Sequence, residues 1–260
     1  MSALATLERR GDVAILWMAD AQRRNALSTK MVEEMCDALA ASREDGVRAV
    51  VIASDQKLFC AGADIRDMLD NGWLEQAPGA RTVITPPDLF AAIERDPRPI
   101  VAAVDGLALG GGVELCLACD LVIAGPRAAF MLPELELGVL PNTALARLPE
   151  LIGRRAAADL ILTRRKVDAE EALRLGLITT LVSEGALDQA VATAAAICAG
   201  APPGAIGAAK ANLARGCGSD AVTGMLADMD GKEWREGVSA FLEKRAPRYE
   251  RFWAARLRKI

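Results

Sequence analysis

Residues 106–115 read GLALGGGVEL, with three consecutive glycines between a strand-like segment and a helix-like one. The apolar run PIVAAV precedes it at residues 99–104, and VELCLACD follows at residues 113–120. Consecutive glycines let main-chain N–H groups approach a ligand without interference from a Cβ atom, and the first turn of a helix leaves its N–H groups unpaired. The stretch therefore predicts a main-chain site for an anion or a developing oxyanion.

Glu114 lies three residues after Gly111, in the first turn of the predicted helix and on the side of those N–H groups. A carboxylate there fits an acid–base site, but it also fits a purely structural turn, where it complements the helix dipole. The chain has neither the G-x-G-x-x-G fingerprint of a dinucleotide site nor the Gly-Lys-Ser/Thr of a phosphate loop. Both interpretations of Glu114 stay open at this point.

Composition indicates a globular chain. Of its 260 residues, 52% are hydrophobic and 25% are charged, which is enough for a substantial core. The net charge of -4 argues against a nucleic-acid-binding surface. No apolar run is long enough to span a bilayer, and the first residues do not resemble a signal peptide. We therefore expect a cytoplasmic protein with no nucleic-acid or membrane partner.

The chain has six cysteines and no histidine. The cysteines are scattered among apolar neighbours, which is typical of reduced thiols, and the single C-x-x-C of Cys116 and Cys119 gives little support for a metal site. Without histidine, no Ser-His-Asp or Cys-His mechanism is possible. Carboxylates, Lys, Tyr or Cys must therefore carry any proton transfer.

Strand and helix patterns alternate through the first two thirds of the chain, and helices dominate beyond about residue 185. Ser28 is a candidate N-cap for the first helix, and Asp168 with Glu171 forms a capping pattern for a later one. Residues 70–87 are polar, rich in Pro and Gly, and predict a long loop. The strands are predicted at residues 13–18, 47–54, 99–104, 121–124 and 178–182.

Three stretches carry a family resemblance: FCAGAD at residues 59–64, ALGGGVEL at 108–115 and LPELELG at 132–138. With NAL at 25–27 and EGVSAFLEKR at 236–245, they resemble the enoyl-CoA hydratase/isomerase (crotonase) superfamily over essentially the whole length. The resemblance implies an α/β fold, a crotonase-type spiral of strand-strand-helix units. Residues 1–200 would form this core with its acyl-CoA site, and residues 201–260 a C-terminal helical trimerisation region. Members are trimers or dimers of trimers, so we expect a homo-oligomer.

The resemblance also implies the chemistry. The N–H groups of Ala63 and Gly111 would stabilise the enolate-like oxygen of an acyl-CoA thioester. Glu114 and Glu134 would hold one water and add it across the 2,3 double bond of a trans-2-enoyl-CoA to give a 3-hydroxyacyl-CoA. Coenzyme A enters as part of the substrate, and no permanently bound cofactor or metal is expected. Contacts to CoA are implied at Arg24, Ala26, Ala61, Ile65, Arg66, Phe241 and Lys244, although the basic members also fit solvated surface charges.

The resemblance weakens after Pro141. Hydratases of the family have PGAGGTQRL there, whereas this chain has PNTALARLP at residues 141–149. This loop borders the catalytic pocket in the family, so the substrate and the reaction stay open. Hydration leads because both glutamates are present. A Δ3,Δ2-enoyl-CoA isomerase, which needs one carboxylate such as Glu134, and a non-catalytic acyl-CoA-binding protein are the alternatives.

Overall fold

The computed structural model describes residues 3–44, 46–73, 83–215 and 231–256. Six strands form the main sheet, in the spatial order β1-β2-β3-β4-β6-β9. Strands β1 and β2 are antiparallel, and every other pair is parallel. The strands of this sheet are β1 (Ala5–Arg10), β2 (Val13–Met18), β3 (Ala49–Ser54), β4 (Ile100–Val104), β6 (Leu121–Ala124) and β9 (Thr180–Leu181).

A smaller sheet of three short strands stands beside the main one, in the order β5-β7-β8. Its members are β5 (Leu107–Leu109), β7 (Ala129–Met131) and β8 (Val167–Asp168). Strand β4 of the main sheet is followed by β5 of the small sheet and then by a helix, and the chain afterwards returns to the main sheet at β6. This strand-strand-helix turn is the predicted spiral unit.

Eleven α-helices and one short 3-10 helix occur in the described ranges. The 3-10 helix covers Glu134–Leu137. The α-helices are α1 (Thr29–Glu44), α2 (Ile65–Asp70), α3 (Pro86–Arg95), α4 (Gly111–Ala118), α5 (Asn142–Ile152), α6 (Arg154–Thr163), α7 (Ala169–Leu175), α8 (Ala186–Gly200), α9 (Pro203–Arg215), α10 (Gly231–Leu242) and α11 (Glu250–Arg256).

Helices cover both faces of the main sheet. The strands β2, β3 and β4 are almost wholly buried, as the continuous apolar runs of parallel strands require. Side chains that alternate along these strands belong to two separate apolar clusters. The larger cluster joins the sheet to α1, α3 and α4, and the smaller one joins it to α8 and to Trp253 of α11.

Several sequence predictions are confirmed at atomic detail. The Ser28 hydroxyl accepts a hydrogen bond from the N–H of Met31 (3.2 Å), as an N-cap does. The Asp168 carboxylate accepts one from the N–H of Glu171 (2.8 Å). The Glu171 carboxylate, however, accepts hydrogen bonds from Arg165.

The loop prediction for residues 70–87 is wrong at both of its ends. Asp70 is the last residue of α2, and α3 begins at Pro86, where Thr85 and Asp88 form a capping box that the prediction missed. Residues 74–82 lie outside the described residues. Strand β1 was also missed, because only Ala5 in it is buried and no apolar alternation marks it.

The described part of the C-terminal region folds back onto the core. Trp253 is 2% exposed and donates its indole N–H to the carbonyl of Cys198 (3.2 Å). The Glu233 carboxylate accepts hydrogen bonds from the N–H groups of Gly204 (3.1 Å) and Ala205 (3.2 Å), at the start of α9. The division at residue 200 and the cytoplasmic location stay predictions.

A helix that spans a membrane must be both long enough and apolar enough. Among the described helices, no single one meets both requirements. Helices α8 and α9 meet them together by length and composition, but they are bent by 113° relative to each other.

Candidate active site

Ala63 and Gly111 come from distant parts of the chain and lie against each other. Ala63 pairs with Leu27 in an isolated parallel bridge. In that bridge, the N–H of Leu27 donates to the carbonyl of Gly62, and the N–H of Asp64 donates to the carbonyl of Leu27. The N–H of Ala63 takes no part in these hydrogen bonds. Gly111 is the first residue of α4. In the described part of the chain, no group accepts a hydrogen bond from the N–H of Ala63 or of Gly111. An oxyanion site requires such unpaired donors.

The close approach of the two segments depends on glycine. The nitrogen of Ala63 lies 3.2 Å from the position that a Cβ on Gly111 would occupy. Gly62 has φ +88°, and a Cβ there would lie 2.8 Å from the carbonyl oxygen of Leu109. Any larger residue at Gly62 would therefore push apart the two segments that carry the N–H groups.

Glu114 is held by the start of α5. Its Oε1 accepts hydrogen bonds from the N–H of Thr143 (2.8 Å) and the N–H of Ala144 (3.1 Å). These N–H groups belong to the first turn of α5, where no intrahelical partner exists for them. Burial raises the pKa of Glu114, and the two N–H groups oppose that rise because they stabilise the carboxylate.

Glu134 opens the 3-10 helix and reaches the glycine run. Its Oε1 lies 2.5 Å from the position that a Cβ on Gly110 would occupy. Its Oε2 is buried, and no group among the described residues donates a hydrogen bond to it. Burial raises the pKa of Glu134 to about 7, and the charge of Glu114 adds to that effect. The two carboxyl groups are therefore close enough for their charges to interact, and Glu134 lies beside Gly110, the neighbour of Gly111.

The spiral fold agrees with the comparisons to known proteins. The model of the enoyl-CoA hydratase/isomerase family matches residues 8–252. The chain belongs to that family. It is 36% identical to a probable enoyl-CoA hydratase of Mycobacterium bovis over 256 residues, which cover 94% of this chain and 96% of the relative. It is 34% identical to a putative enoyl-CoA hydratase/isomerase of Bacillus subtilis, over 92% of this chain and 94% of that one.

The fold comparison points the same way. The crystal structure of an enoyl-CoA hydratase from Mycobacterium smegmatis superposes with a TM-score of 0.82 at 33% identity, covering 96% of this chain and 100% of that chain. The enoyl-CoA hydratase/isomerase family acts on acyl-CoA thioesters. The crotonase-type fold expected from the sequence is thereby confirmed.

Five of the seven residues expected to contact CoA lie on two adjacent segments next to Ala63: Arg24, Ala26, Ala61, Ile65 and Arg66. The carbonyl of Arg24 accepts a hydrogen bond from the N–H of Ala61 (3.1 Å), which joins the segment of Arg24 and Ala26 to the segment of Ala61. Ile65 and Arg66 follow in α2, and both are exposed. Exposed basic and apolar residues thus lie on the segments next to Ala63.

The two other expected CoA contacts lie elsewhere on the chain. Phe241, at 82% exposed, and the exposed Lys244 lie at the end of α10 and just after it. In the described residues, neither makes a hydrogen bond or an ion pair with the edge that carries Arg24 and Arg66. Their predicted role toward a neighbouring subunit stays a prediction.

Sequence reasoning missed the groups that hold the two glutamates. Thr143 and Ala144 fall in the stretch after Pro141, where the family pattern is lost, yet their N–H groups reach Glu114. A helix start after Pro141 was the available signal, because the first turn of any helix has unpaired N–H groups. The role of Gly110 under Glu134 had no signal in the sequence, since only the tertiary structure brings the two together.

Proposed function

We propose that this member of the family hydrates a trans-2-enoyl-CoA to a 3-hydroxyacyl-CoA. The observation that carries the proposal is the pair Glu114 and Glu134, which share a partly buried site in two different environments. Glu114 accepts two main-chain hydrogen bonds, whereas Glu134 has an oxygen without a donor in the described chain. Hydration needs this asymmetry, because one carboxyl group must accept a proton while the other gives one.

The thioester oxygen would bind between the N–H groups of Ala63 and Gly111. Negative charge grows on that oxygen when a nucleophile adds to C3 of the enoyl group. Fixed donors stabilise this charge more than they stabilise the neutral substrate, and removal of one such donor typically lowers the rate by about 10²–10³-fold. Because the groups are main-chain N–H groups, the side chains at both positions need only be small.

Glu114 would act as the base and Glu134 as the acid. The N–H groups of Thr143 and Ala144 favour the ionised form of Glu114. This carboxylate takes a proton from the water while the oxygen of that water bonds to C3. Glu134, whose pKa is raised to about 7, keeps a proton near neutral pH and delivers it to C2. The water oxygen bonds to C3 and keeps one hydrogen as the new hydroxyl group, while the other proton of the water goes to Glu114. The proton on C2 comes from Glu134, and transfer of a proton from Glu114 back to Glu134 resets the site, so that one water is consumed.

Coenzyme A would lie along the edge formed by Arg24, Ala26, Ala61, Ile65 and Arg66. The exposed arginines would pair with its phosphates, and the main chain near Ala61 would contact its adenine. The complete protein would be a homo-oligomer, a trimer or a dimer of trimers. Helix α10 supports this, because its exposed apolar residues recur at helical spacing along one side: Trp234, Val238, Phe241 and Leu242.

Mass spectrometry tests the reaction directly. Purified protein is incubated with crotonyl-CoA, and with enoyl-CoA substrates of longer chains, in water enriched in heavy oxygen. We expect a product heavier by one labelled water. Binding of the substrates without any mass gain would contradict hydration and leave the isomerase and the non-catalytic acyl-CoA-binding protein as the alternatives.

A Δ3,Δ2-enoyl-CoA isomerase is the second candidate, and one observation favours it. The Oε1 of Glu114 already accepts two hydrogen bonds, whereas the Oε2 of Glu134 has no donor among the described residues. Glu134 alone would then carry a proton between C2 and C4. Conversion of a 3-enoyl-CoA into the conjugated 2-enoyl-CoA, without mass gain in labelled water, would identify this activity.

A further inference from the structure

Asn25 is a fully buried polar residue next to the oxyanion segment, and every one of its polar atoms is hydrogen bonded. Its Oδ1 accepts from the N–H of Asp20 (2.8 Å), and its Nδ2 donates to the hydroxyl of Ser54 (2.8 Å) and to the carbonyl of Phe59 (3.2 Å). Its carbonyl accepts the thiol hydrogen bond of Cys60 (3.1 Å). The side chain thus ties three separate segments together.

The segment around Asn25 runs beside the segment that ends at Ala63. The carbonyl of Arg24 accepts from the N–H of Ala61 (3.1 Å). The N–H of Leu27 donates to the carbonyl of Gly62 (2.7 Å), and the carbonyl of Leu27 accepts from the N–H of Asp64 (3.3 Å). Residues 24–27 therefore hold residues 59–64 along their whole length, and Asn25 supplies the side-chain bonds of this contact.

On the side away from Asn25, the segment of residues 59–64 packs closely against Leu109 and Gly111. The nitrogen of Ala63 is 3.2 Å from the position that a Cβ on Gly111 would occupy, and a Cβ on Gly62 would lie 2.8 Å from the carbonyl oxygen of Leu109. The two segments are therefore closely packed, and a shift of residues 59–64 would change the direction in which the N–H of Ala63 points relative to the N–H of Gly111. Misplaced donors lose much of their effect, since hydrogen-bond strength falls steeply with distance and angle.

We propose that Asn25 is a positioning residue that holds the N–H of Ala63 toward the substrate oxygen. The inference rests on the proposed function, because it assigns the N–H of Ala63 to the oxyanion site. Asn25 itself touches no reacting atom. It acts through its bonds to Phe59 and Ser54, and through the main-chain contacts that its neighbours make with the same segment.

The chemistry of the position requires an amide side chain. Asp has the shape of Asn but lacks both N–H donors, so its second oxygen would face the carbonyl of Phe59. The Ser54 hydroxyl does not compensate, because it donates to the carbonyl of Leu58 (2.8 Å). Asn25 also has φ +55°, a left-handed conformation that Asn adopts more readily than most residues. Asn25→Asp is therefore the sharpest substitution, since it changes the donors and leaves the shape.

The test uses an enoyl-CoA that carries a conjugated aromatic donor group. Its absorbance moves to longer wavelength when strong hydrogen bonds polarise the carbonyl, so the bound ligand reports the oxyanion donors without any proton transfer. We expect Asn25→Asp to lose most of this shift and to lower kcat by about 10-fold or more, below the ~10²–10³-fold cost of a donor removed outright. KM should change far less than kcat.

Ser42→Ala is the matched control. Ser42 is also fully buried and donates its hydroxyl to the carbonyl of Leu39 (2.7 Å), but it lies in α1 away from residues 59–64. The control should lower Tm and leave the shift and kcat unchanged. If Asn25→Asp does not fold, Ser54→Ala removes one partner of the Asn25 side chain and is expected to reduce the same shift partly.

The outcomes separate this inference from the proposed function. A normal shift and kcat in Asn25→Asp, or in Ser54→Ala where the first variant does not fold, would overturn the positioning role alone. A raised KM with a normal shift would also overturn it, because Asn25 would then serve CoA binding. Wild-type protein that neither shifts the ligand nor turns over any enoyl-CoA would overturn the proposed function and this inference together.

Discussion

The carboxyl group of Glu134 lies directly over Gly110, with its Oε1 2.5 Å from the position that a Cβ on that glycine would occupy. Gly110 has φ +49° and precedes the first residue of α4. The same glycine therefore permits the turn into the helix and leaves the space in which Glu134, the proposed acid, lies.

We expect Gly110→Ala to lower kcat by about 10²-fold, the usual contribution of an acid–base group, because the new methyl displaces Glu134. Gly11→Ala is the control, since Gly11 also has positive φ (+64°) but a Cβ there would meet nothing within 4 Å. Gly110→Ala should also lose more stability than Gly11→Ala, because Gly110 has φ +49° and ψ −116°, outside the regions that residues with a Cβ adopt, so kcat is compared on folded protein. Equal activity of the two variants would contradict the role given to Gly110.

Glu114→Gln and Glu134→Gln should each lower kcat by at least about 10²-fold, because the amide keeps the shape but cannot exchange a proton. Glu136→Gln is the control, since Glu136 lies in the same 3-10 helix as Glu134, is exposed, and pairs with Arg164 (3.3 Å). It should keep full activity. Near-normal hydration by Glu114→Gln would contradict the two-carboxylate mechanism.

Gly111→Pro should be less active than Gly111→Ala by a further ~10²–10³-fold. Both variants place a Cβ 3.2 Å from the nitrogen of Ala63, so they share the crowding. Only proline removes the N–H, and the first position of a helix tolerates proline. Rates are compared after circular dichroism confirms that both variants fold. Equal rates would show that the N–H of Gly111 contributes nothing to catalysis.

Glu134 should make the stability of the protein depend on pH. Burial raises its pKa to about 7, above the ordinary 4.5, so the folded protein binds this proton more tightly than the unfolded chain does. Its contribution to the free energy of unfolding is complete below about pH 4.5 and is lost as the pH rises to about 7. Glutamine at position 134 stays neutral at every pH. The Tm of Glu134→Gln relative to that of wild type should therefore be higher at about pH 8 than at about pH 5. Equal differences at both values would contradict the raised pKa.

The exposed side of α10 gives a prediction for assembly. Phe241 is 82% exposed and Leu242 73% exposed. Phe241→Asp should shift the protein toward the monomer in analytical ultracentrifugation, because a charge in an apolar contact is costly to bury. Leu213→Asp is the control, since Leu213 is 81% exposed but lies on α9. Identical behaviour of the two variants would argue against α10 as the subunit contact.

The sequence by itself determined the family and the spiral fold, and it predicted the four central residues of the candidate site. It could do so because these features are local: the glycines, the apolar strands and the first-turn glutamate are each encoded within about ten residues. Ala63, Gly111, Glu114 and Glu134 were all expected as site residues, and their roles stay predictions. The structure packs Ala63 against Gly111, places Glu134 beside Gly110, and brings Glu134 within reach of the charge of Glu114. Strand β1 escaped because its polar surface gives no apolar alternation, and α3 started earlier than expected because its start depends on a capping box at Thr85.

Only the tertiary structure decided what surrounds each of these groups. Glu114 meets the N–H groups of Thr143 and Ala144 some thirty positions further along the chain, in a stretch where the family pattern is lost. Glu134 meets Gly110, and Asn25 meets Phe59, through contacts between segments that fold together only in the complete spiral. A pKa and the direction of an N–H group depend on burial and on such neighbours, and neither is encoded near the residue itself.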